Sequence, residues 1–137
     1  MKNILSLNNV GEEIALSDEN QEITYQVLKA RISSACKMIL HHFGSCSAPI
    51  PIISDNSVDI TITILATQYI GCGYLPINTE LPSEKIQKII YSNQISKVII
   101  KPGLSLSVTQ LRPFQKMGIE FLVADTSEEW NLSLIHI

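Results

Sequence analysis

The hydrophobic pattern at the beginning of the chain predicts a small hairpin followed by a long helix. Residues 14–17 and 23–24 are strand-like and flank the turn-rich segment 18–21. Behind them, apolar side chains recur every three or four residues, as one face of a helix requires; they are Leu28, Ile32, Ala35, Ile39 and Phe43. Thr24 stands where its hydroxyl would cap the first turn.

The next part of the chain predicts a buried strand and a second helix. Residues 50–53 form the strand, and the prolines beside and within it restrict it to the beginning of a pairing ladder or to a sheet edge. Residues 60–64 alternate with period two and are β-branched throughout, which locally favours another strand. A helical stripe crosses the same segment and is too long for one strand; its members are Val58, Ile62, Leu65, Ala66 and Tyr69. We predict a helix there, capped by Asn56.

The remaining pattern continues the alternation of strands and helices. Gly71 to Gly73 is predicted to end the second helix, a short strand follows at 74–77, and Pro82 opens a helix that buries Ile86, Ile89 and Ile90. The last predicted elements are a strand at 98–100, a short helix at 107–116 that Pro113 interrupts, and a strand at 119–123. Such an order predicts an α/β fold with a mostly parallel sheet flanked by helices.

Composition suggests that this sheet is part of something larger. Of the 137 residues, 45% are hydrophobic, 17% are charged and 22 are isoleucine, whereas ordinary soluble domains carry about 25% charged residues. We therefore expect about half of the sheet faces to need covering by helices and strands beyond these residues.

The charge pattern excludes several partners. The net charge is −3, and the lysines and arginines are scattered singly, so the chain has no basic stripe for nucleic acid. No apolar stretch has the length of a signal peptide or of a membrane span. We expect a cytoplasmic protein.

Candidate chemistry is sparse along the chain. A GxxxxGK[ST] phosphate loop is absent, and Gly71-Cys72-Gly73 lacks the third glycine of a dinucleotide fingerprint, so a helix stop is the favoured interpretation. His41 and His42 diverge by about 100° on a helix and cannot chelate one metal from one face; they are expected to decorate a helix end. No catalytic, cofactor-binding or metal-binding residue is predicted.

The three cysteines and one acidic pair do not predict a functional site. Cys36, Cys46 and Cys72 are widely spaced and lack a CxxC motif, so neither a disulfide framework nor a zinc site is predicted. We expect each to be a small buried residue or a free thiol. Glu128 and Glu129 are predicted to lie on the solvated surface.

The last six residues do not resemble the end of a fold. Residues 132–137 read Leu-Ser-Leu-Ile-His-Ile, which is the translation of CTG TCT CTT ATA CAC ATC, the mosaic end of a transposase sequencing adapter. We therefore expect residues 1–131 to be native and residues 132–137 to be a scar of library preparation. The natural chain would continue after residue 131 with other residues in place of these six.

One segment carries a family resemblance. Residues 67–90, TQYIGCGYLPINTELPSEKIQKII, resemble a stretch of the adenylate-forming (AMP-binding) enzymes, whose pattern there is LKAGxxYxPxDxxxPxxRI. The matching positions are Gly71, Tyr74, Pro76, Pro82 and Ile86. Lys85 replaces the usual arginine, Asn78 replaces the usual aspartate, and residues 68–70 depart from Leu-Lys-Ala.

The flanking residues agree with the resemblance. Residues 14–16, followed by Ile23-Thr24-Tyr25 and Leu28, are similar to the family's opening strand and LTYxEL motif, with Val27 in place of the glutamate. The resemblance covers residues 14–123. It is closest to amino-acid adenylation domains of nonribosomal peptide synthetases and to D-alanine to carrier-protein ligases, and residues 47–53 and 82–86 favour the latter branch.

The resemblance implies the incomplete N-terminal portion of the large lobe of such a ligase. The full-length enzyme would use ATP and Mg²⁺ to convert an amino acid or another small carboxylic acid to an acyl adenylate, then transfer the acyl group to the thiol of a phosphopantetheinyl carrier protein. The family's phosphate loop, acid pocket, ribose-binding aspartate and catalytic lysine all follow this segment. Five residues are therefore carried over as structural motif positions only: Gly71, Tyr74, Pro76, Asn78 and Pro82.

Two alternatives stay open at this point. The chain is also compatible with a fragment of an acyl-CoA synthetase, which has the same fold and uses coenzyme A as acceptor, or with a stand-alone α/β binding module without catalysis. If it is a ligase fragment, we expect residues 1–131 alone to be insoluble or molten and to bind no ATP.

Overall fold

A hairpin and a long helix open the structure, a computed structural model that describes residues 11–44 and 47–125. Strand β1 (Ile14–Ser17) pairs antiparallel with β2 (Glu22–Thr24), and α1 (Tyr25–Phe43) follows directly. The Thr24 hydroxyl accepts a hydrogen bond from the Val27 amide at 3.3 Å, so it satisfies one of the free donors of the first turn. The predicted hairpin, helix and cap are confirmed.

Four parallel strands form the main sheet. They are β3 (Ile50–Ile53), β4 (Tyr74–Ile77), β5 (Lys97–Ile100) and β6 (Glu120–Val123), in the order β4-β3-β5-β6. The connecting helices are α2 (Val58–Tyr69), α3 (Ser83–Ser92) and α4 (Val108–Lys116). The predicted α/β class and the parallel sheet are therefore confirmed.

Strand order reverses at the middle of the sheet. The chain moves from β3 outward to β4, then returns across β3 to β5 and β6. Connections of this kind leave a crevice between β3 and β5 at the carboxyl ends of the strands. This edge is the place to look for a ligand site in such a fold.

Both faces of the sheet are covered within the described residues. Helices α1 and α2 cover one face over a core that includes Ile39, Ile52 and Ile60, while α3 and α4 cover the other over Ile77 and Phe114. The expectation that about half of the faces lie bare is wrong for this part of the chain. Exposed large apolar side chains are instead dispersed over the hairpin, the helices and the outer strands; examples are Ile14, Tyr91 and Val123.

One open local prediction is resolved and two need correction. Of the two positions that its prolines allow, β3 does not take the sheet edge but lies inside the sheet. Pro51 is the second residue of the strand and faces β5, since the amides at positions 50 and 54 face β4; it precedes the β3–β5 register at Ile52 and Ile99, as the beginning of a pairing ladder permits. The cap of α2 is Ser57, whose hydroxyl accepts from the Ile60 amide at 3.2 Å, and not Asn56. Ile89 is only partly buried.

Pro113 does not interrupt α4. The helix runs through it from a capping box formed by Ser107 and Gln110. Proline removes only the hydrogen bond to the carbonyl of Thr109, and Thr109 is exposed, so water can replace that donor. The Pro113 carbonyl still accepts from the Met117 amide at 3.2 Å.

In the described part of the chain, no helix is both long and apolar enough to cross a membrane.

Candidate functional site

The motif begins with the turn that ends α2. Gly71 has a φ of +79°, a left-handed conformation that is strained for residues with a Cβ. Its amide donates to the Gln68 carbonyl at 3.2 Å, and the Cys72 amide donates to the Thr67 carbonyl at 2.8 Å. Gly71 therefore serves as the helix stop expected from the sequence.

Tyr74 and Pro76 face the outer edge of β4. The Gly73 and Ile77 carbonyls accept hydrogen bonds from the β3 amides of Ile50 and Ser54, each at 2.9 Å. Because backbone groups alternate along a strand, the intervening positions 74 and 76 point away from β3. Proline at this outward position costs the sheet no hydrogen bond.

Asn78 and Pro82 shape the loop that leads into α3. The Asn78 side-chain oxygen accepts from the Glu80 amide at 2.9 Å, and its carbonyl accepts from the Leu81 amide at 3.2 Å. Pro82 caps the helix through its carbonyl, which accepts from the Lys85 and Ile86 amides at 2.9 and 3.2 Å. The turn at Asn78 needs only an acceptor oxygen, which asparagine and aspartate both supply.

A polar groove lies at the crevice between β3 and β5. It encloses about 450 Å³, and its charged lining residues are Asp18, Glu19, Asp55 and Lys101. The Lys101 ammonium lies 3.3 Å from the Asp55 carboxylate. This ion pair joins the segments that follow β3 and β5, and both partners are partly exposed.

Asp18 binds the amino end of α2 from the hairpin turn. Its Oδ2 accepts from the Val58 amide at 2.7 Å, and its Oδ1 accepts from the Asn20 and Gln21 amides at 2.7 and 2.9 Å. The hydrogen bond from Val58, joined by those from Asn20 and Gln21, holds the pKa of Asp18 below its ordinary value of 3.8. The carboxylate thus supplies the negative charge that a helix amino end favours.

Asp55 is also kept ionised by its neighbours. Burial acts to raise the pKa of Asp55, but hydrogen bonds from Ser57 and the Lys101 ammonium outweigh it and hold that pKa below the ordinary value of 3.8. The Ser57 amide donates to its Oδ1 at 2.6 Å. At neutral pH, carboxylates therefore outnumber ammonium groups among the charged residues of the groove.

Two amides at the amino end of α2, beside this groove, are already occupied. In a doubly wound sheet, phosphate binds at the switch point through the free amides of a helix amino end. Here the Val58 amide is already bound to Asp18 and the Ile60 amide to Ser57. The charged lining would repel a nucleotide, and the described residues contain no group of three metal-ligating side chains.

A second polar network fixes the hairpin to the helices. The Arg31 guanidinium donates through Nη1 to the Gln21 amide oxygen at 2.7 Å, and Gln21 Nε2 donates to Asp59 Oδ2 at 3.0 Å. These bonds connect α1, the hairpin turn and α2. The network thus holds the hairpin turn against both helices, from the partly buried Arg31 to the buried Asp59.

The adjacent histidines lie in the last turn of α1, as predicted. Their rings meet edge to face with centroids 5.0 Å apart, and the Lys97 ammonium donates to the His42 carbonyl at 3.0 Å. Burial, followed by the charges of His41 and Lys97, lowers the pKa of His42 below 6.5, although Glu120 acts against this. This arrangement ties the end of α1 to the start of β5.

The cysteines do not form a reactive site among the described residues. Cys36 is a buried free thiol that donates to the Ala66 carbonyl at 3.7 Å, and burial raises the pKa of this thiol. Such a thiol is a poor nucleophile. Cys72 departs from expectation, because it is disulfide-bonded. Cys46, the Glu128–Glu129 pair and residues 132–137 lie outside the described residues.

Sequence reasoning missed the groove and found the motif. The signal for the groove was present, because Asp55 lies two residues after β3 and Lys101 directly follows β5, and the carboxyl ends of these strands meet at one edge. The motif residues occur on one continuous segment, with Gly71 and Tyr74 at the amino end of β4 and Asn78 and Pro82 beyond its carboxyl end. They do not converge on a common cavity with the charged residues of the groove.

Comparison with known proteins extends the resemblance. Nonribosomal peptide synthetase 2 of Cochliobolus heterostrophus (strain C4 / ATCC 48331 / race T) is 31% identical over 106 residues, which are 77% of this chain and 2% of that protein. Tyrocidine synthase 1 of Brevibacillus parabrevis is 26% identical over 94 residues, or 69% of this chain and 9% of that protein. The chain thus spans only a small part of the relatives it matches.

The fold matches solved adenylate-forming enzymes. The structure of the anthranilate CoA ligase AuaEII in complex with anthranoyl-AMP superposes with a TM-score of 0.71 at 14% identity, covering 88% of this chain and 24% of that chain. At this identity the likeness shows the fold alone. A family model described as AMP-binding enzyme matches residues 6–133, nearly the whole sequence. The chain therefore belongs to the family of AMP-binding enzymes.

Proposed function

We propose that this chain is the N-terminal portion of an ATP-dependent ligase that activates an amino acid as an acyl adenylate and passes it to a carrier-protein thiol. The observation that carries the proposal is the similarity to peptide synthetases, which reaches 31% identity over 77% of the chain. Residues 1–131 form the native part of the proposed domain, and residues 132–137 are the adapter translation.

Within that enzyme, the described residues provide the scaffold and not the chemistry. The polar groove binds its own helix amino end through Asp18, and its charge is unsuited to phosphate. Gly71, Asn78 and Pro82 act architecturally, because their hydrogen bonds serve a turn or a helix end. Tyr74 and Pro76 occupy outward positions of β4 and are assigned the same kind of role. We place the binding of ATP and Mg²⁺ in the part of the enzyme that follows residue 125. There ATP would supply the adenylyl group to the acid's carboxylate, with pyrophosphate leaving, and Mg²⁺ would screen the phosphate charges.

The thiol that accepts the acyl group distinguishes the proposed ligase from an acyl-CoA ligase. Fold neighbours include CoA ligases, but at 14–16% identity they do not favour that acceptor. The proposed test uses the complete coding frame and measures amino-acid-dependent exchange of pyrophosphate into ATP. A second step offers either a phosphopantetheinylated carrier protein or free coenzyme A and measures the acylated product by mass.

The expected result is exchange that depends on one amino acid, with acylation of the carrier protein. Acylation of coenzyme A alone would replace the proposal with the CoA-ligase alternative. Absence of exchange with every amino acid and small carboxylic acid, from a folded full-length protein, would support a binding module without catalysis.

A further inference from the structure

The hairpin turn, residues 18–21, supplies part of the lining of the polar groove at the carboxyl edge of the sheet. The rest of the lining includes residues 55–57, between β3 and α2, and Lys101, which attracts the Asp18 carboxylate. Among the described residues, β1 and β2 pair only with each other, so the hairpin adds no strand to the main sheet. The position of the turn is therefore independent of the sheet ladder and decides how open the groove is.

The stem and the turn of the hairpin are held in different ways. Apolar packing anchors the stem, since Ile23 is buried and Ala15 and Leu16 pack against the same core. The turn consists only of polar residues, Asp-Glu-Asn-Gln, and has no apolar side chain to bury. Segments without buried apolar contacts have the lowest opening free energies in a folded protein. The turn can thus leave its position while the stem stays packed.

Within the described residues, three hydrogen bonds join the turn to the helices, and all three use side chains. Asp18 Oδ2 accepts from the Val58 amide at 2.7 Å, at the amino end of α2. Gln21 Nε2 donates to Asp59 Oδ2 at 3.0 Å, and Arg31 Nη1 of α1 donates to the Gln21 side-chain oxygen at 2.7 Å. Asp18 and Gln21 therefore make all the hydrogen bonds that hold the turn against α1 and α2.

Hydrogen bonds inside the turn connect these two residues. The Asp18 amide donates to the Gln21 carbonyl at 2.9 Å. In return, the Asn20 and Gln21 amides donate to Asp18 Oδ1 at 2.7 and 2.9 Å. A displacement of either residue therefore carries the other with it.

We propose that the hairpin turn is a strap beside the groove that opens as one unit, releasing α1 and α2 together while the hairpin stem stays in place. In the closed position, Asp18 covers the first amide of α2. In the open position, the Val58 amide reaches solvent and the groove loses the lining that the turn supplies. Opening of the strap does not require the proposed ligase activity.

Hydrogen exchange with single-amide resolution on the full-length protein tests the strap at the Val58 amide. Arg31→Met removes the bond between α1 and Gln21 and leaves the bond between Asp18 and Val58 in place. We expect the Val58 amide to exchange about tenfold faster in this variant, which corresponds to ~1.4 kcal/mol, because the lost charge-assisted bond holds the same unit. The Ile60 amide, which donates to the Ser57 hydroxyl, should exchange at an unchanged rate.

Two further variants complete the test. Lys37→Met removes an exposed positive charge from the same helix and should leave exchange at Val58 unchanged. Gln21→Met removes both bonds from the Gln21 side chain to the helices and should accelerate exchange at Val58 at least as much as Arg31→Met.

Three results would overturn the strap. Unchanged exchange at Val58 in folded Arg31→Met or Gln21→Met would show that the bonds to α1 and α2 open independently. Equal acceleration at Ile60 would show that the first turn of α2 unfolds instead. Equal acceleration at Val58 by Lys37→Met would show a general effect of charge.

Discussion

The Val58 amide donates a 2.7 Å hydrogen bond to the carboxylate of Asp18, forty residues earlier in the chain. Through this bond the hairpin turn caps α2 and places a negative charge at the edge of the sheet where a nucleotide would bind in many α/β proteins. The same contact thus occupies the Val58 amide at the amino end of α2 and links the hairpin to that helix.

Removal of the Asp18 carboxylate should destabilise the full-length protein, in which this and the following unfolding measurements are made. Asp18→Ala leaves the Val58, Asn20 and Gln21 amides without this acceptor, so the denaturant midpoint should fall. Asp18→Asn should lower the midpoint less, because one acceptor oxygen remains. Glu19→Ala, at an exposed neighbouring position, is the matched control and should behave as the unaltered chain. An unchanged midpoint for Asp18→Ala would show that the cap does not contribute.

The same carboxylate makes a pH-dependent contribution. Because the pKa of Asp18 is lower in the folded chain than its ordinary value of 3.8, the folded state favours the ionised form. The stabilisation is fully present above pH 3.8 and is lost as the pH falls through the lowered pKa. In urea unfolding between pH 3 and 5, the free energy of unfolding should decrease less on acidification in Asp18→Asn than in the unaltered chain.

His42 should produce a second loss of stability at higher pH. Its pKa is below 6.5 in the folded chain because the side chain is partly buried near His41 and Lys97. Protonation therefore favours unfolding, and the contribution present above pH 6.5 is lost as the pH falls through the lowered pKa. His42→Gln should remove part of the difference in unfolding free energy between pH 7.5 and 5.5.

The neighbouring histidine serves as the control for this experiment. His41→Gln leaves the burial of His42 in place, and burial is the largest cause of the lowered pKa of His42. That variant should therefore keep most of the decrease in unfolding free energy between pH 7.5 and 5.5. If both variants show the same pH dependence as the unaltered chain, the interaction at the end of α1 does not affect stability.

Two glycines in the motif should respond differently to alanine. Gly71 has a positive φ and Gly73 does not, and a Cβ added at Gly73 would meet only Pro49 Cβ at an ordinary 3.9 Å. Gly71→Ala should therefore cost about 1–2 kcal/mol through backbone strain, whereas Gly73→Ala should be nearly neutral. Equal losses in urea unfolding would show that the helix stop is not the role of Gly71.

Asn78 should tolerate the aspartate that the family pattern has at this position. Asn78→Asp keeps the oxygen that accepts from the Glu80 amide and should unfold at nearly the same urea concentration. Asn78→Ala removes it and should cost about 1 kcal/mol, the usual worth of such a hydrogen bond. A larger loss from aspartate than from alanine would contradict the role in the turn.

The sequence predicted the elements and the sheet class because period and turn residues are local signals. Thr24, Gly71 and Pro82 mark element ends that the structure confirms. The sequence could not choose between the sheet edge and the beginning of a ladder for β3, because a proline restricts one side of a strand only and the side that Pro51 faces depends on register. Pro113 was misread for a similar reason, since the cost of a lost helix bond depends on whether its acceptor reaches water.

The polar groove required the three-dimensional fold. Asp18 and Val58 are far apart in sequence, and nothing local to either residue indicates their bond. Apolar composition was likewise misleading about coverage, because it does not distinguish bare sheet faces from apolar side chains exposed on helices, hairpin and edges. The resemblance in residues 67–90, in contrast, was carried by residue types at fixed spacing and was confirmed by the family match.

The most direct test of the account is to read the source DNA beyond the codon for Asn131. The proposed ligase predicts that the frame continues into a glycine-, serine- and threonine-rich phosphate loop with a lysine, and that this frame replaces residues 132–137. A stop codon in the source DNA immediately after the native residues would contradict it, because the chain would then lack the phosphate-binding part that the described scaffold does not supply.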